Sequence, residues 1–229
     1  MRISVGGILA ALVIFVFGPA QAQVPPGETE YAAYKGLHLA AASGDVAEIR
    51  RLAADKKQLN ARDSYGRTPL MVAAYKSRID AATALIAAGA DLDALESDRY
   101  DVVTISSVAN DVKMLKLVLE SGAKAGQMTS PYDGTALIAA AHLGHVDVVK
   151  ALIAAGAPLD HVNNLNWTAL IESIVLGDGG SNHVACLTAL IEAGADVNIA
   201  DGNGVSPLQL AERHGFDEMV RLLKAAGAK

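Results

Sequence analysis

Residues 135–157 read TALIAAAHLGHVDVVKALIAAGA, and this stretch decides the fold. Thr135 can accept a hydrogen bond from a helix N–H that would otherwise lack a partner, so it marks a helix start. Gly144 breaks this first helix, and a second apolar helix follows through Val148–Ile153. Gly156 can take the left-handed conformation that ends a helix at low cost. The stretch therefore predicts two short helices joined by a turn.

The same unit recurs along the chain. Its closing glycines lie 33, 34, 38 and 33 residues apart, at Gly89, Gly122, Gly156, Gly194 and Gly227. Start signals of one kind precede them, at Thr68-Pro69-Leu70, Thr135-Ala136-Leu137, Thr168-Ala169-Leu170 and Ser206-Pro207-Leu208. Small residues such as Ala73-Ala74 and Ala139-Ala140 follow, where helices of neighbouring units must approach closely. The fixed period predicts a stack of repeats.

This pattern resembles the ankyrin repeat, which has a Thr-Pro-Leu start, a Gly-broken helix pair and a Gly-Ala ending. Residues 37–45, LHLAAASGD, are similar to its helical signature, and Gly144-His145 matches its Gly-His turn. The resemblance covers roughly residues 35–229. It implies an all-α ankyrin-repeat solenoid of about six helix–turn–helix repeats with short hairpin loops and a concave groove that binds other proteins. We place the repeats near 35–62, 63–95, 96–129, 130–162, 163–200 and 201–229.

Three departures from the repeat carry expectations of their own. Residues 23–34 form a linker and the start of a capping helix, and we expect Thr29 to cap a longer helix through Tyr31 and Tyr34. In the third repeat Asp101 replaces Thr and is itself a good helix cap. The fifth repeat is longer by five residues, carried by 177–182. This insert is either a tolerated surface loop or part of a binding site.

The first 22 residues read as a signal peptide. Arg2 is positive, Val5–Phe17 is uncharged, and Ala20-Gln21-Ala22 has small residues at the positions that a signal peptidase reads. The apolar stretch is shorter than the roughly 20 residues of a membrane span, which disfavours the alternative of an uncleaved anchor. We expect cleavage after Ala22 and a periplasmic protein without a membrane span in its mature form, in a Gram-negative bacterium.

Composition excludes several classes of function. The net charge is −6 and no basic stripe is present, so a nucleic acid partner is not expected. Cys186 is the only cysteine and aligns with core positions, so we expect a buried, inert thiol and no disulfide. His142 and His145 have the spacing of some metal ligands, but a helix break separates them and no further ligand completes a site. No nucleophile motif appears, so we expect no cofactor, no metal and no enzymatic activity.

The resemblance also implies where a partner binds, because ankyrin-like folds recognise proteins through hairpin tips and the exposed ends of their first helices. These positions hold five of the eight aromatic residues that follow the leader, and aromatic and Arg side chains are typical interface anchors. The predicted binding residues are Tyr65, Arg67, Tyr75, Lys76, Asp98, Tyr100, Tyr132, His142, Leu143, Leu165, Trp167, Val175, Leu176, Arg213 and His214.

The leading hypothesis is a non-enzymatic protein, monomeric when alone, that holds a folded protein partner in the groove. Its role would be that of an adaptor, an accessory protein, or an inhibitor such as an immunity protein. A second hypothesis is a small-ligand binder whose Tyr and Trp stack on glycans or cell-wall fragments, although ligand sites are usually enclosed. A third is an enzyme that uses His142 and His145 beside the insert.

Overall fold

A computed structural model describes residues 23–229; the predicted signal peptide lies outside them. This part of the chain contains α-helices and no strand, apart from one isolated bridge between Thr129 and Gly134. The all-α prediction is confirmed. The helices are α1 (Glu28–Ala33), α2 (Gly36–Ser43), α3 (Val46–Leu52), α4 (Lys56–Leu59), α5 (Pro69–Tyr75), α6 (Ile79–Ala87), α7 (Val102–Val108), α8 (Val112–Glu120), α9 (Ala136–His142), α10 (Val146–Ala154), α11 (Ala169–Val175), α12 (Ser181–Glu192), α13 (Pro207–His214) and α14 (Asp217–Ala225).

Six helix pairs stack in two layers. The first helices, α2, α5, α7, α9, α11 and α13, pack side by side in that order, and the second helices, α3, α6, α8, α10, α12 and α14, pack behind them. Each predicted repeat range contains one such pair. The closing glycines take positive φ as predicted, for example +91° at Gly89 and +79° at Gly156. This conformation turns the chain toward the next hairpin.

Polar caps start the first helices where the sequence places them. Thr135 and Thr168 accept from the N–H groups of Ile138 and Ile171 at 3.4 and 3.2 Å. In the third repeat Asp101 accepts from the N–H of Thr104 at 2.7 Å, which confirms the predicted substitution of Asp for Thr.

Two local expectations are corrected. Thr29 does not cap α1: the helix begins after Gly27, whose N–H donates to the Glu30 carboxylate at 2.8 Å, and it ends at Ala33. The close-packed pair of the fourth repeat is Ala140 and Ala141, both with no exposed surface, whereas Ala139 is half-buried.

At four junctions a side chain of one repeat accepts a hydrogen bond from the backbone of the next, at the last residue of the Gly-Ala-X turn. The X residue donates its N–H to an Asp or Asn oxygen about one repeat earlier, in the pairs Asp91 to Asn60 (2.9 Å), Lys124 to Asp93 (3.2 Å), Asp196 to Asp160 (2.9 Å) and Lys229 to Asn198 (3.0 Å). These bonds fix the spacing between neighbouring repeats, in addition to the helix packing.

The junction between the third and fourth repeats lacks both the donor and the acceptor of this bond. Pro158 occupies the X position and has no N–H, and Gly126 stands where the other repeats carry Asp or Asn. A Cβ on Gly126 would lie 2.8 Å from the Pro158 Cδ, so the ring fills the space that a side chain would need. Packing replaces a hydrogen bond here.

Candidate functional site

The hairpin tips and the exposed C-terminal ends of the first helices share one side of the stack, which we call the hairpin face. Five hairpins begin with a side-chain oxygen that accepts two backbone N–H groups of its own turn. Asp63 accepts from Tyr65 and Arg67, both at 2.8 Å, and Asn163 accepts from Leu165 and Trp167, both at 3.0 Å. Glu96, Ser130 and Asp201 act in the same way. Each tip is therefore a rigid turn.

Backbone hydrogen bonds also join successive tips into a row. The N–H of Ser97 donates to the Tyr65 carbonyl at 2.9 Å, and the N–H of Asn164 donates to the Tyr132 carbonyl at 2.9 Å. Between them, Arg99 pairs with Asp133 at 2.7 Å. Side chains on this row are thus presented from a continuous platform.

The structure divides the predicted binding residues into three groups by exposure. Six of them are exposed: Tyr65, Asp98, Leu143, Leu176, Arg213 and His214. The half-buried residues are Tyr75, Lys76, Tyr132, His142, Leu165, Trp167 and Val175. The buried residues are Arg67 and Tyr100, which are 2% and 7% exposed.

The prediction that Arg67 and Tyr100 present exposed side chains is wrong. Both are the last residue of a hairpin and immediately precede the helix cap. The turn that directs Tyr65 outward points the residue two places later inward, and Val24 and Glu30 also cover the Arg67 guanidinium. Burial raises the pKa of the Tyr100 hydroxyl to about 12. Arg67 contacts Glu30 and Asp63 at 2.7 and 3.6 Å.

Two exposed leucines occupy equivalent places in neighbouring repeats on the hairpin face, and we call them the apolar pair. Leu143 and Leu176 are 42% and 40% exposed and occupy the same position in successive repeats. They follow the ends of α9 and α11, which pack side by side. Exposed apolar groups that lie together are typical of a protein contact surface.

Beside this pair lies a buried carboxylate that the sequence reasoning missed. Glu172 is 4% exposed, accepts from the Asn163 side chain at 2.9 Å and lies 3.3 Å from the His142 Nδ1. The equivalent positions in other repeats hold apolar residues, such as Val72 and Ile105. Aligning the repeats with one another would have revealed the Glu172 carboxylate at this otherwise apolar position.

The insert of the fifth repeat folds against the fourth. His183 bonds the carbonyl of His142 through Nε2 at 2.9 Å and Asp178 through Nδ1 at 2.8 Å. Residues from Ser181 onward extend α12 to 12 residues. The insert is therefore an ordered part of the structure next to Leu143.

Two further histidines bond backbone carbonyls, and the cysteine is buried. His38 bonds the Arg67 carbonyl at 2.9 Å, and His145 bonds the Ser107 carbonyl at 3.0 Å. Cys186 is buried as predicted, and burial raises the pKa of its thiol to about 11. Across residues 23–229 no three His, Cys, Asp or Glu side chains are grouped so that they could hold a metal ion.

Comparison with known proteins identifies the repeat. The family model described as ankyrin repeats (3 copies) matches residues 20–96 and 104–201. The chain belongs to the ankyrin-repeat family. It is 44% identical to the crystallised ankyrin repeat domain ABAYE2397 from Acinetobacter baumannii AYE, with a TM-score of 0.80, over 84% of this chain and 98% of that one.

Two further comparisons agree with this ankyrin-repeat assignment. The ankyrin repeat protein YahD of Escherichia coli (strain K12) is 34% identical over 83% of this chain and 94% of its own length. A chain from the complex of the predatory endopeptidase Bd0816 of Bdellovibrio bacteriovorus with immunity protein Bd3460 has a TM-score of 0.69. It covers 84% of this chain and 98% of its own, and at 24% identity it shows the fold alone.

Ankyrin repeats are protein–protein interaction modules, and ankyrin-repeat proteins are generally non-enzymatic. Among residues 23–229 no helix has the length and apolar character that a membrane crossing needs. The predicted ankyrin solenoid is confirmed, and the hairpin face is the part of it to consider for partner binding.

Proposed function

We propose that this ankyrin-repeat chain is exported to the periplasm and holds a folded protein partner in the groove along its hairpin face. Its role there is that of an adaptor, an accessory protein, or an inhibitor such as an immunity protein. The proposed location rests on the leader-like sequence of residues 1–22. The binding role rests on the family and on the exposed Leu143–Leu176 pair.

The surroundings of this pair support a protein partner. Tyr132, Leu165 and Trp167 are half-buried on the neighbouring hairpins and leave part of each side chain for contact. The buried Glu172 with His142 adds a polar group beside the apolar pair. An apolar centre with a few fixed polar groups is the usual composition of a protein interface.

Small-ligand binding has less support. One depression is lined by α3 and α6 residues such as Val46 and Thr83, and another by Leu143 and residues of the insert. Both are open to solvent, and neither is lined by Tyr or Trp. Stacking of a sugar ring would need an aromatic side chain in the pocket wall.

Export has a direct test. When the full-length chain is expressed in a Gram-negative host, we expect it in the periplasmic fraction with Gln23 as its first residue, because cleavage follows Ala22. Mass spectrometry of the intact protein measures this. A substitution of Ala20 and Ala22 by Leu should block processing, and an unprocessed wild-type chain in the cytoplasm would contradict the proposal.

Partner binding is tested by capture from periplasmic extract on the mature chain, residues 23–229. We expect Leu143→Asp with Leu176→Asp to reduce capture of a specific protein at least tenfold, since each change introduces a charge into an apolar contact. Ala154→Asp is the matched control, because Ala154 is exposed on the second helix of the same repeat as Leu143.

Each outcome has a clear meaning. Capture by the wild type and by the Ala154→Asp control, with loss in the double variant, supports the proposed surface. Equal capture by all three proteins would contradict it. If the captured protein is an enzyme, its activity with and without the mature chain separates an inhibitor from an adaptor.

A further inference from the structure

The segment before the first repeat contacts residues of the second repeat that were predicted from the sequence to bind a partner. We call residues 23–34, which include α1, the strap. The Glu30 carboxylate pairs with Arg67 at 2.7 Å, and the Val24 carbonyl accepts from the same guanidinium at 3.2 Å. The Tyr31 ring lies under the Lys76 ammonium, 3.7 Å from its nitrogen to the ring centroid. The chain itself therefore occupies part of its hairpin face.

Arg67 lies at the centre of this contact in a site that is already built. Its guanidinium carbon is 4.4 Å from the ring centroid of Tyr65 and 5.8 Å from that of Tyr75. The Asp63 carboxylate, in the same hairpin, lies 3.6 Å from the Arg67 guanidinium. It also accepts a hydrogen bond from the Tyr34 hydroxyl at 2.7 Å. The Arg67 side chain is 3% exposed, and its buried Nε has no hydrogen-bond partner.

The strap completes this site with a second carboxylate. The pKa of Glu30 is lowered, first by the hydrogen bond from the Gly27 N–H and further by Arg67, so the group is ionised at neutral pH. An arginine between aromatic rings, with a carboxylate supplied from outside its own repeat, has the chemistry of a receptor for an acidic side chain.

The strap is held by these polar contacts and by partial apolar packing: Tyr31 and Tyr34 are half-buried against the core, and Pro26 is buried. None of the residues of α1 is buried, and the helix has only six residues. Isolated helices of that length are unstable in water. The Glu30 side chain is 27% exposed, so solvent reaches the carboxylate end of its ion pair with Arg67. We therefore expect release of the strap to cost less than unfolding a repeat, whose helices contribute fully buried side chains to the core.

We propose that the strap is displaceable, and that the protein partner places an acidic side chain next to an aromatic one where Glu30 and Tyr31 now lie. This inference rests on the proposed function and specifies the chemistry of one end of the binding surface. The occupant already present, a Glu-Tyr pair on a short helix, indicates the kind of partner segment that fits.

The test uses the strap sequence as its own probe. A fluorescein-labelled peptide of residues 23–34, QVPPGETEYAAY, is titrated by fluorescence anisotropy with the mature chain carrying Glu30→Gln, which weakens the strap in place. The matched control chain carries Glu28→Gln, the same change on an exposed residue of α1. We expect the Glu30→Gln chain to bind at least tenfold more tightly than the wild type or the control, because its site is vacated more often.

Two further arms make the result decisive. A peptide with Glu30→Gln should bind at least tenfold more weakly than the parent peptide, whereas one with Glu28→Gln should bind equally well. In the intact chains, chymotrypsin should cleave after Tyr34 several times faster in the Glu30→Gln protein than in the Glu28→Gln protein, with unchanged melting temperatures. Equal peptide binding by all chains, no binding, or equal cleavage rates would each overturn the proposal.

No partner is needed for this test, so it can fail independently of the proposed function. Displacement of the strap without any captured protein would leave the receptor site supported and the periplasmic role unsupported. Capture of a partner with no effect of Glu30→Gln on the strap would support the partner-binding role. It would overturn the proposal that the strap is displaceable.

Discussion

Gly177→Ala is expected to lower the free energy of unfolding by about 3 kcal/mol, at the upper end of the cost of inserting a methyl group where no space exists. A Cβ at this position would lie 2.1 Å from the Ser173 carbonyl oxygen and 2.9 Å from the His183 ring. The backbone and His183 must both move. The bond from His183 to the His142 carbonyl, which holds the insert against the fourth repeat, would then be lost.

Urea denaturation followed by circular dichroism measures the change. Gly156→Ala is the matched control: it has a φ of +79° but no atom within 4 Å of an added Cβ. It should cost about 1 kcal/mol, the conformational penalty of a left-handed alanine. Equal losses in the two variants would show that the insert has room to adjust and that its packing against His142 contributes little.

Asp101→Asn is expected to raise the free energy of unfolding at pH 7 by about 2 kcal/mol. Burial raises the pKa of Asp101 to about 6, above the usual value of 3.8. The folded protein therefore binds the proton more tightly than the unfolded chain. The contribution of Asp101 to stability is therefore greatest below its unfolded pKa and falls as the pH rises through the interval from about 4 to 6. Asn caps a helix as well as Asp and carries no charge, so it removes this loss.

The measurement is chemical denaturation of both proteins at several pH values between 4 and 7. The two should have the same stability at pH 4 and diverge as the pH rises. Asp45→Asn serves as the control, because Asp45 caps α3 from an exposed position, accepting from the Glu48 N–H at 2.9 Å. A pH-independent difference for Asp101→Asn would contradict the assignment of the effect to ionisation.

The helix pairs could be predicted because their signals are local. A cap at Thr135, a break at Gly144 and an end at Gly156 lie within one repeat, and each acts on the few residues around it. Because these signals recur from repeat to repeat, they also predicted that the helix pairs stack. Asp101 was identified in the same way, since its alignment with Thr was enough to assign it as a cap.

The direction of side chains on the hairpins was harder to predict. Arg67 and Tyr100 belong to residue types that are typical of interfaces, and they lie in a loop, but the turn places them beneath the tip. Leu143 and Leu176 are of a residue type usually found in the core, and they are exposed because they follow the last turn of the first helices. Residue type alone therefore misassigned part of the surface, whereas position within the turn determines it.

Long-range contacts could not be derived from the repeat pattern. Glu30 reaches Arg67 across 37 residues, and His183 reaches the His142 carbonyl across 41. Both contacts involve segments outside the repeating unit, the strap and the insert. A periodic pattern carries no information about segments that interrupt it.

The junction of Gly126 with Pro158 limits how this array can change during evolution. Repeat proteins gain and lose units when equivalent repeats recombine, and at the other junctions the Asp or Asn acceptor and the N–H donor are interchangeable from one repeat to another. A crossover that placed an Asp in the position of Gly126 would leave its carboxylate without a donor and force it against the proline ring. We therefore expect the third and fourth repeats to be inherited together more often than neighbouring repeats at the other junctions.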